Sequence, residues 1–237
     1  MNLYGKRPVI ERMRVDPESI RAIYVEGGTH IEELSRIAHE IGFRLNKIPR
    51  DKFYRMSRGL NTQGVIAEVE DFVYNDYEDI VSAPDEIKPI LVFLDGVTDP
   101  QNLGSIIRSL ACLGGFCLVL PRRESVDVNE TVLRVASGGE SHMPICQVSN
   151  LSNAIIRAKR EGYWIGATVV EGGVNPAKAR LNFPLGLIFG SEGQGIRPGL
   201  MNRVDYMLTI PMKGADLSFN VAVAATLFCY EAAKQRE

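Results

Sequence analysis

Apolar and polar residues alternate along the second half of the chain in a pattern that predicts a layered α/β domain. The apolar run at 90–97 is typical of a strand buried in a parallel sheet. The segment 99–113 then has helical spacing, with Asp99 placed to cap it, Pro100 at its first position and Gly114 placed to end it. Because a further strand follows at 115–121 and such units connect through parallel crossovers, we predict an open α/β sheet with helices on its faces.

The same patterns extend to the rest of the chain. Later segments predict a helix at 152–161, strands at 163–170, 185–190 and 207–212, and a final helix at 217–235. In the first part, 22–26 is predicted to be a strand, 31–42 a helix, and 64–74 a half-buried alternating strand. This alternation of element types predicts a small α/β domain at the amino-terminal end.

An acidic segment between Asn75 and Pro89 separates the two parts. It contains two prolines and shows neither helical nor strand periodicity, which indicates a linker. We therefore predict a first domain at 1–75, a linker at 76–88 and a second domain at 89–237.

Composition narrows the class of protein. The 237 residues carry a net charge of -2, no apolar run long enough to cross a membrane and no apolar secretory leader, so we expect a cytoplasmic protein without a membrane partner. The four cysteines and three histidines are scattered without a C-x-x-C pair. We therefore expect reduced thiols and no metal cofactor.

The basic residues of the first part of the chain are concentrated in one segment. Residues 44–58 hold six basic side chains against one acid, with aromatic residues among them. Cations pair with phosphates and exposed aromatics stack on bases, so this segment predicts RNA binding, for which we select Arg50, Lys52 and Arg55. The alternative is a solvated basic face balanced by the acidic residues of 68–79.

Three segments of the second domain carry candidate chemistry. Asn102 and Arg108 follow a strand near its carboxyl end, where open α/β sheets build sites. The loop G-S-E-G-Q-G at 190–195 fits neither the P-loop nor the dinucleotide fingerprint, which leaves a close backbone approach around Glu192 or a plain tight turn. In the segment 210–225, Ser218 or Asn220 can cap the last helix.

Together these segments resemble the three motifs of the SpoU (TrmH-like) branch of the SPOUT RNA methyltransferases. They read D-G-V-T-D-P-Q-N-L-G-S-I-I-R, L-I-F-G-S-E-G-Q-G-I and I-P-M-K-G-A-D-L-S-F-N-V-A-V-A-A. The opening Tyr4-Gly5 and the stretch 61–65 are similar to the substrate-binding domain of ribosomal-RNA members.

The resemblance implies a trefoil-knotted catalytic domain, S-adenosylmethionine as cofactor, a homodimer with the site near its interface, and RNA as substrate. Ribosomal RNA and a guanosine target are favoured. The residues that match catalytic positions are Asn102, Arg108, Glu192, Ser218 and Asn220. Those assigned to the cofactor are Thr168, Gly190, Ile210, Met212 and Phe219.

The implied reaction is methyl transfer to a ribose 2′-hydroxyl, with Asn102 holding the ribose and Arg108 the adjoining phosphate. Because a guanidinium stays protonated, we favour an electrostatic role for Arg108 over the general-base role proposed in the family. Phe219 and Ala222 depart from the family pattern, which has Leu and Ser there. A transfer-RNA methyltransferase, a resistance enzyme acting on ribosomal RNA and a non-catalytic RNA-binding or assembly factor remain alternatives.

Overall fold

The amino-terminal residues form a four-stranded sheet in the computed structural model, which describes residues 1–214 and 217–236. Ala215 and Asp216 of the third motif, and Glu237, lie outside the described residues. The strands are β1 (Asn2–Tyr4), β2 (Ile20–Glu26), β3 (Leu45–Ile48) and β4 (Val65–Val69), and the helices are α1 (Lys6–Val15), α2 (Glu32–Glu40) and α3 (Arg50–Ser57). The sheet order is β1-β4-β2-β3, with β2 and β3 parallel and the other pairs antiparallel. The predicted small α/β domain is confirmed.

Strand β4 is shorter and more buried than its sequence pattern predicts. It ends at Val69 rather than continuing to residue 74, and four of its five residues are buried. Ile66 packs with Tyr4 and Phe53 on one face of the sheet, whereas Val65 and its alternate neighbours pack in the main core on the other. The prediction of a half-buried strand was wrong because β4 lies inside the sheet with apolar side chains covering both faces.

The second part of the chain forms the six-stranded parallel sheet that the sequence predicts. Its order is β10-β8-β9-β5-β6-β7, and every neighbouring pair is parallel. The strands are β5 (Ile90–Asp95), β6 (Phe116–Pro121), β7 (Ile145–Val148), β8 (Trp164–Thr168), β9 (Leu185–Gly190) and β10 (Tyr206–Leu208). The helices are α4 (Tyr77–Val81), α5 (Pro100–Leu113), α6 (Glu130–Ala136), α7 (Leu151–Arg160), α8 (Pro198–Met201) and α9 (Val221–Arg236).

Alternate residues of the central strands enter two different apolar layers. On β5, Leu91 and Phe93 pack in the layer that contains α4, α7 and α8, whereas Val92 faces the layer of α5, α6 and α9. The run at 90–95 is buried throughout because helices cover both faces of the sheet. Among the described residues, no helix combines the length and the apolar character needed to cross a membrane.

The acidic segment after the first domain contains an element that its sequence pattern does not indicate. Helix α4 occupies residues 77–81, and the side chain of Asp76 accepts a hydrogen bond from the Glu78 amide. Tyr77 and Val81 are buried in the second domain, and the Tyr77 hydroxyl donates to the carbonyl of Ala154. A five-residue helix is too short to show a 3.6-residue period, so the sequence pattern does not indicate it.

The two parts of the chain share an interface built around α1 and the region of α6. Glu130 accepts hydrogen bonds from the amide and side chain of Asn2. Arg12 forms an ion pair with the buried Glu140 at 3.4 Å. The main apolar core runs without a break from the first sheet into the layer of α5. The amino-terminal sheet is therefore held against the second domain at this interface.

Candidate functional site

A cavity of about 390 Å³ lies at the carboxyl ends of β8 and β9, where parallel sheets place their ligand sites. Three segments line it: the end of β8, the loop 190–195 and the chain that leads into α9. It contains every predicted cofactor residue, namely Thr168, Gly190, Ile210, Met212 and Phe219, and two predicted catalytic residues, Glu192 and Ser218. Residues far apart in sequence therefore meet at one site.

The loop 190–195 is both a tight turn and a close backbone approach. Ser191 and Gly195 form an antiparallel bridge, in which the Gly195 amide donates to the Ser191 carbonyl at 2.9 Å. A Cβ on Gly190 would lie 2.1 Å from the carbonyl carbon of Gly195 and 2.3 Å from the Ile196 nitrogen. Because backbone cannot move aside as a flexible side chain can, only glycine fits at position 190.

An ion pair between a buried carboxylate and an exposed arginine, which the sequence analysis missed, holds this loop on the sheet. Asp95, 2% exposed at the end of β5, accepts hydrogen bonds from the Arg197 amide at 2.8 Å and the Arg197 Nε at 2.7 Å. The hydrogen bond to Asp95 raises the pKa of Arg197. A single acid ending an otherwise apolar strand was the available signal, because a buried carboxylate needs a hydrogen-bonding or charged partner.

Asn102, Glu192 and Asn220 form a polar cluster beside the cavity, one from each sequence motif. The Asn220 amide nitrogen donates to Glu192 Oε1 at 2.6 Å and to Asn102 Oδ1 at 2.9 Å. The Asn102 amide nitrogen donates to the same Glu192 oxygen at 3.3 Å. The structure thus brings together three of the predicted catalytic residues, which are separated by 90 and 28 residues along the chain.

Helix starts position two members of this cluster. Asp99 caps α5 by accepting from the Gln101 amide, so Asn102 lies in the first turn. The Asn220 Oδ1 accepts from the amides of Ala222 and Val223, and this settles which residue caps α9. One side chain therefore caps a helix through its oxygen and organises the cluster through its nitrogen.

Arg108 does not join the cluster within one chain. It lies six residues after Asn102 on α5, about 240° around the helix and about 9 Å along it. Its side chain is exposed and lines a groove between the two domains rather than the cavity. The structure of a single chain therefore separates Arg108 from the other predicted catalytic residues.

The cavity's chemistry suits a ligand with an apolar and a polar end. Phe189, Ile210 and Met212 give apolar surface, and the loop 190–195 supplies backbone amides together with the Glu192 carboxylate. Thr168 lines the cavity, and its hydroxyl donates to the Ile188 carbonyl at 2.8 Å. Phe189 and Phe228, both cavity-lining and in edge contact, were not selected from the sequence, because they read there as ordinary core.

The predicted RNA-binding residues lie on α3, beside a separate groove of the first domain. Arg50, Lys52 and Arg55 are all exposed, and Tyr54 between them is 70% exposed. Arg50 lines the groove and forms an ion pair with Glu26 at 3.1 Å. Helix α3 thus presents cations and an aromatic ring to solvent. In the described part of the chain, no group of three His, Cys, Asp or Glu side chains is arranged to hold a metal ion.

Comparisons with known proteins agree with this arrangement. Residues 89–230 match the model of the SpoU rRNA Methylase family, and residues 3–74 match the model for RNA 2'-O ribose methyltransferase substrate binding. A 23S rRNA (guanosine-2'-O-)-methyltransferase RlmB of Vibrio vulnificus is 32% identical, over 99% of this chain and 96% of that protein. An uncharacterized tRNA/rRNA methyltransferase of Synechocystis sp. is 35% identical over 88% of this chain, which spans only 51% of that relative.

The fold also matches solved structures. The SpoU methyltransferase AviRb of Streptomyces viridochromogenes, in complex with AdoMet, superposes with a TM-score of 0.81 and 24% identity, covering 100% of this chain and 90% of that one. The resemblance drawn from the three sequence motifs is confirmed by the family models, and the predicted α/β architecture by the structure.

Proposed function

This chain belongs to the SpoU rRNA methylase family, and we propose that it methylates the ribose 2′-hydroxyl of a guanosine in large-subunit ribosomal RNA. Its enzyme class is that of S-adenosylmethionine-dependent RNA 2′-O-ribose methyltransferases. The observation that carries the proposal is the Asn102–Glu192–Asn220 cluster beside the cavity. The name of the Vibrio relative supports ribosomal RNA and guanosine.

The cavity residues hold the cofactor, and the cluster holds the target ribose. S-adenosylmethionine supplies an electrophilic methyl group on its sulfonium. The backbone of 190–195 and the side chains of Ile210, Met212 and Phe219 bind it. Glu192 uses Oε1 for both asparagines, so its second oxygen accepts a hydrogen bond from the 2′-hydroxyl and orients that weak nucleophile. Ser218 lines the same cavity and contributes a hydroxyl for orientation.

We also propose that the protein forms a homodimer, in which a second copy of the chain covers α9. Val223, Leu227 and Tyr230 are exposed on this helix at spacings of four and three residues, so they form one apolar stripe. In the dimer, Arg108 of one subunit reaches the cluster of the other and holds the phosphate beside the target ribose. This arrangement accounts for the separation of Arg108 from Asn102 within one chain.

Three further assignments, of domain roles, location and a knot, follow from the family. We assign RNA binding to residues 1–75 and catalysis to 89–237, joined through 76–88, with the cytoplasm as the location. We also assign a trefoil knot to the catalytic domain. Support for the knot comes from the chain after β8, where Val174 pairs with Leu208 and the Gly173 amide donates to Thr209 Oγ1 at 2.9 Å. That loop therefore lies directly against the chain leaving β10.

The activity is tested with purified protein and S-adenosylmethionine carrying a labelled methyl group. Unmodified ribosomal RNA and transfer RNA are offered separately, digested, and the labelled nucleoside is identified. We expect 2′-O-methylguanosine in ribosomal RNA, and its loss in the Arg108→Ala variant. Label on a base contradicts the proposed reaction. Label in transfer RNA alone favours the second candidate substrate, which the name of the Synechocystis relative includes.

Mixing two impaired variants tests the dimer. Arg108→Ala and Asn220→Ser subunits are refolded together or co-expressed. If Arg108 acts on the partner's cluster, mixed dimers contain one intact site and recover activity that neither variant shows alone. No recovery, with mixed dimers verified by mass, contradicts action across the interface.

A further inference from the structure

The two domains enclose a groove in which Arg108 is the one lining residue that the catalytic assignment uses. It is an open space of about 690 Å³. The first domain contributes Arg7, Glu11 and Gln63, and the second contributes Arg108, Cys112 and His142. Its two arginines therefore come from different domains and line the same groove.

Both arginines are available to an incoming anion. The Arg7 side chain is 74% exposed, and its ion pair with Glu11 is long, at 3.5 Å. Glu11 also pairs with Arg14 at 3.2 Å and contacts His142 at 3.1 Å, so its charge is shared among several partners. Within residues 1–214 and 217–236, Arg108 forms no ion pair. The groove thus holds two guanidinium groups that no carboxylate fully satisfies.

The floor of the groove fixes the backbone of Arg108. Gly139 packs so closely on α5 that a Cβ there would lie 3.1 Å from the Arg108 Cα. The next residue, Glu140, is held by its buried ion pair with Arg12 of the first domain. The position of Arg108 relative to the first domain is therefore set by packed backbone rather than by a flexible connection.

Gln63 joins this groove to the groove beside α3. Its side chain lines both spaces. The Gln63 Oε1 accepts a hydrogen bond from the Lys6 backbone amide at 3.3 Å. The Gln63 backbone amide donates to Asn61 Oδ1 at 3.3 Å. A continuous path therefore leads from the cations of α3, past the loop 61–64, to Arg7 and Arg108.

We propose that the interdomain groove is a binding site for the sugar–phosphate backbone of a single-stranded RNA segment flanking the target nucleotide, with Arg7 as a phosphate contact. This inference rests on the proposed function. A guanidinium matches phosphate oxygens with two parallel N–H donors, and unpaired RNA can follow a curved surface that a duplex cannot. In this arrangement, α3 binds the part of the RNA that is far from the target nucleotide, and the interdomain groove binds the part next to the reacting ribose.

Steady-state kinetics on the RNA that the wild type methylates test the assignment. For Arg7→Ala we expect the KM for RNA to rise about three- to tenfold and the salt slope to fall by about 0.7, because one phosphate contact is lost. We expect kcat and the KM for S-adenosylmethionine to stay within about twofold of wild type. Arg36→Ala is the matched control, since Arg36 is also an exposed helix arginine paired with a glutamate four residues on, and it lines neither groove.

A native thiol reports occupancy of the groove directly. Cys112 lines it and is exposed, whereas Cys117, Cys146 and Cys229 are buried. We expect the RNA substrate to slow alkylation of Cys112 by iodoacetamide at least fivefold in the wild type, and less in Arg7→Ala at the same subsaturating RNA concentration. The groove assignment is overturned if alkylation of Cys112 is unchanged at saturating RNA, or if Arg7→Ala has the same KM for RNA as Arg36→Ala. In either case, methylation by the wild type still supports the proposed function. Absence of methylation by the wild type overturns the proposed function itself.

Discussion

The cofactor cavity and the interdomain groove are built in opposite ways. One wall of the cavity is backbone, a turn at 190–195 so tight that position 190 has no room for a methyl group. The groove is made of exposed side chains on helices, such as Arg7 on α1 and Arg108 on α5. Backbone sites respond to substitution in an all-or-none way, whereas side-chain sites lose one contact at a time. Substitutions in the two regions should therefore differ in kind as well as in size.

The largest effect is expected from Gly190→Ala. The added Cβ would lie 2.1 Å from backbone of the same loop, so the turn has to open and the cavity loses its shape. We expect binding of S-adenosylmethionine, measured by calorimetry, to weaken more than tenfold. Gly199→Ala is the control, because a Cβ there meets nothing within 4 Å. Equal cofactor affinity in both variants would show that the loop does not shape the site.

The next largest effect is expected from Asn220→Ser, which separates the two tasks of that side chain. Serine keeps a cap for α9, so the free energy of unfolding should change by less than about 1 kcal/mol. The amide that donates to Glu192 and Asn102 is lost, so kcat should fall at least tenfold. Denaturant unfolding and single-turnover methylation provide the two measurements. A stable variant with normal kcat would remove the cluster from the proposed mechanism.

A graded effect is expected when Arg50, Lys52 and Arg55 are replaced by alanine together. All three are exposed on α3, so folding should be retained. Loss of three phosphate contacts should lower the salt slope of RNA binding by about 2, with affinity reduced and cofactor binding unchanged. Filter binding at several salt concentrations measures both quantities. An unaltered affinity would mean that the basic segment is a solvated face.

The smallest effect concerns stability at the interface between the domains. Burial raises the pKa of Glu140 above its ordinary 4.5, opposed by its contact with Arg12. The folded protein then binds a proton more tightly than the unfolded chain, so this contribution to stability is present below pH 4.5 and is lost as pH rises through the folded pKa. The stability of the wild type relative to Glu140→Gln should therefore decline with rising pH, by at most about 1.4 kcal/mol per pH unit. Urea titrations from pH 4 upward measure the slope, and a flat difference would contradict it.

The elements with long, regular patterns could be predicted from sequence. The helix at 100–113 was predicted with its Asp99 cap, its Pro100 start and its Gly114 end. In contrast, α3 and α6 were not predicted, because each has only seven or eight residues and a mainly polar exposed side. Short helices depend on neighbours for their stability, so their own residues carry a weak signal.

For the candidate site, the sequence motifs could identify the polar residues, but not which of them lie together in the fold. The motifs identified Asn102, Glu192 and Asn220, and the structure shows them within hydrogen-bond distance. The same motifs grouped Arg108 with Asn102, whereas the helix turns them to different sides. The Asp95–Arg197 pair was missed because its members are about 100 residues apart, and nothing local in either segment indicates the other.

By itself, the sequence determined the parallel α/β class, the family, the cap and end of α5, and a glycine-rich loop at 190–195. These follow from local chemistry: which side chains are apolar, which can cap a helix, and which residues allow a tight turn. Only the tertiary structure decided that three motifs share one polar cluster, that Arg108 faces the interdomain groove, and that Gln63 joins two grooves. Those relations depend on how distant segments pack, because the contacts that bring them together are made across the folded molecule and leave no period or spacing in the chain.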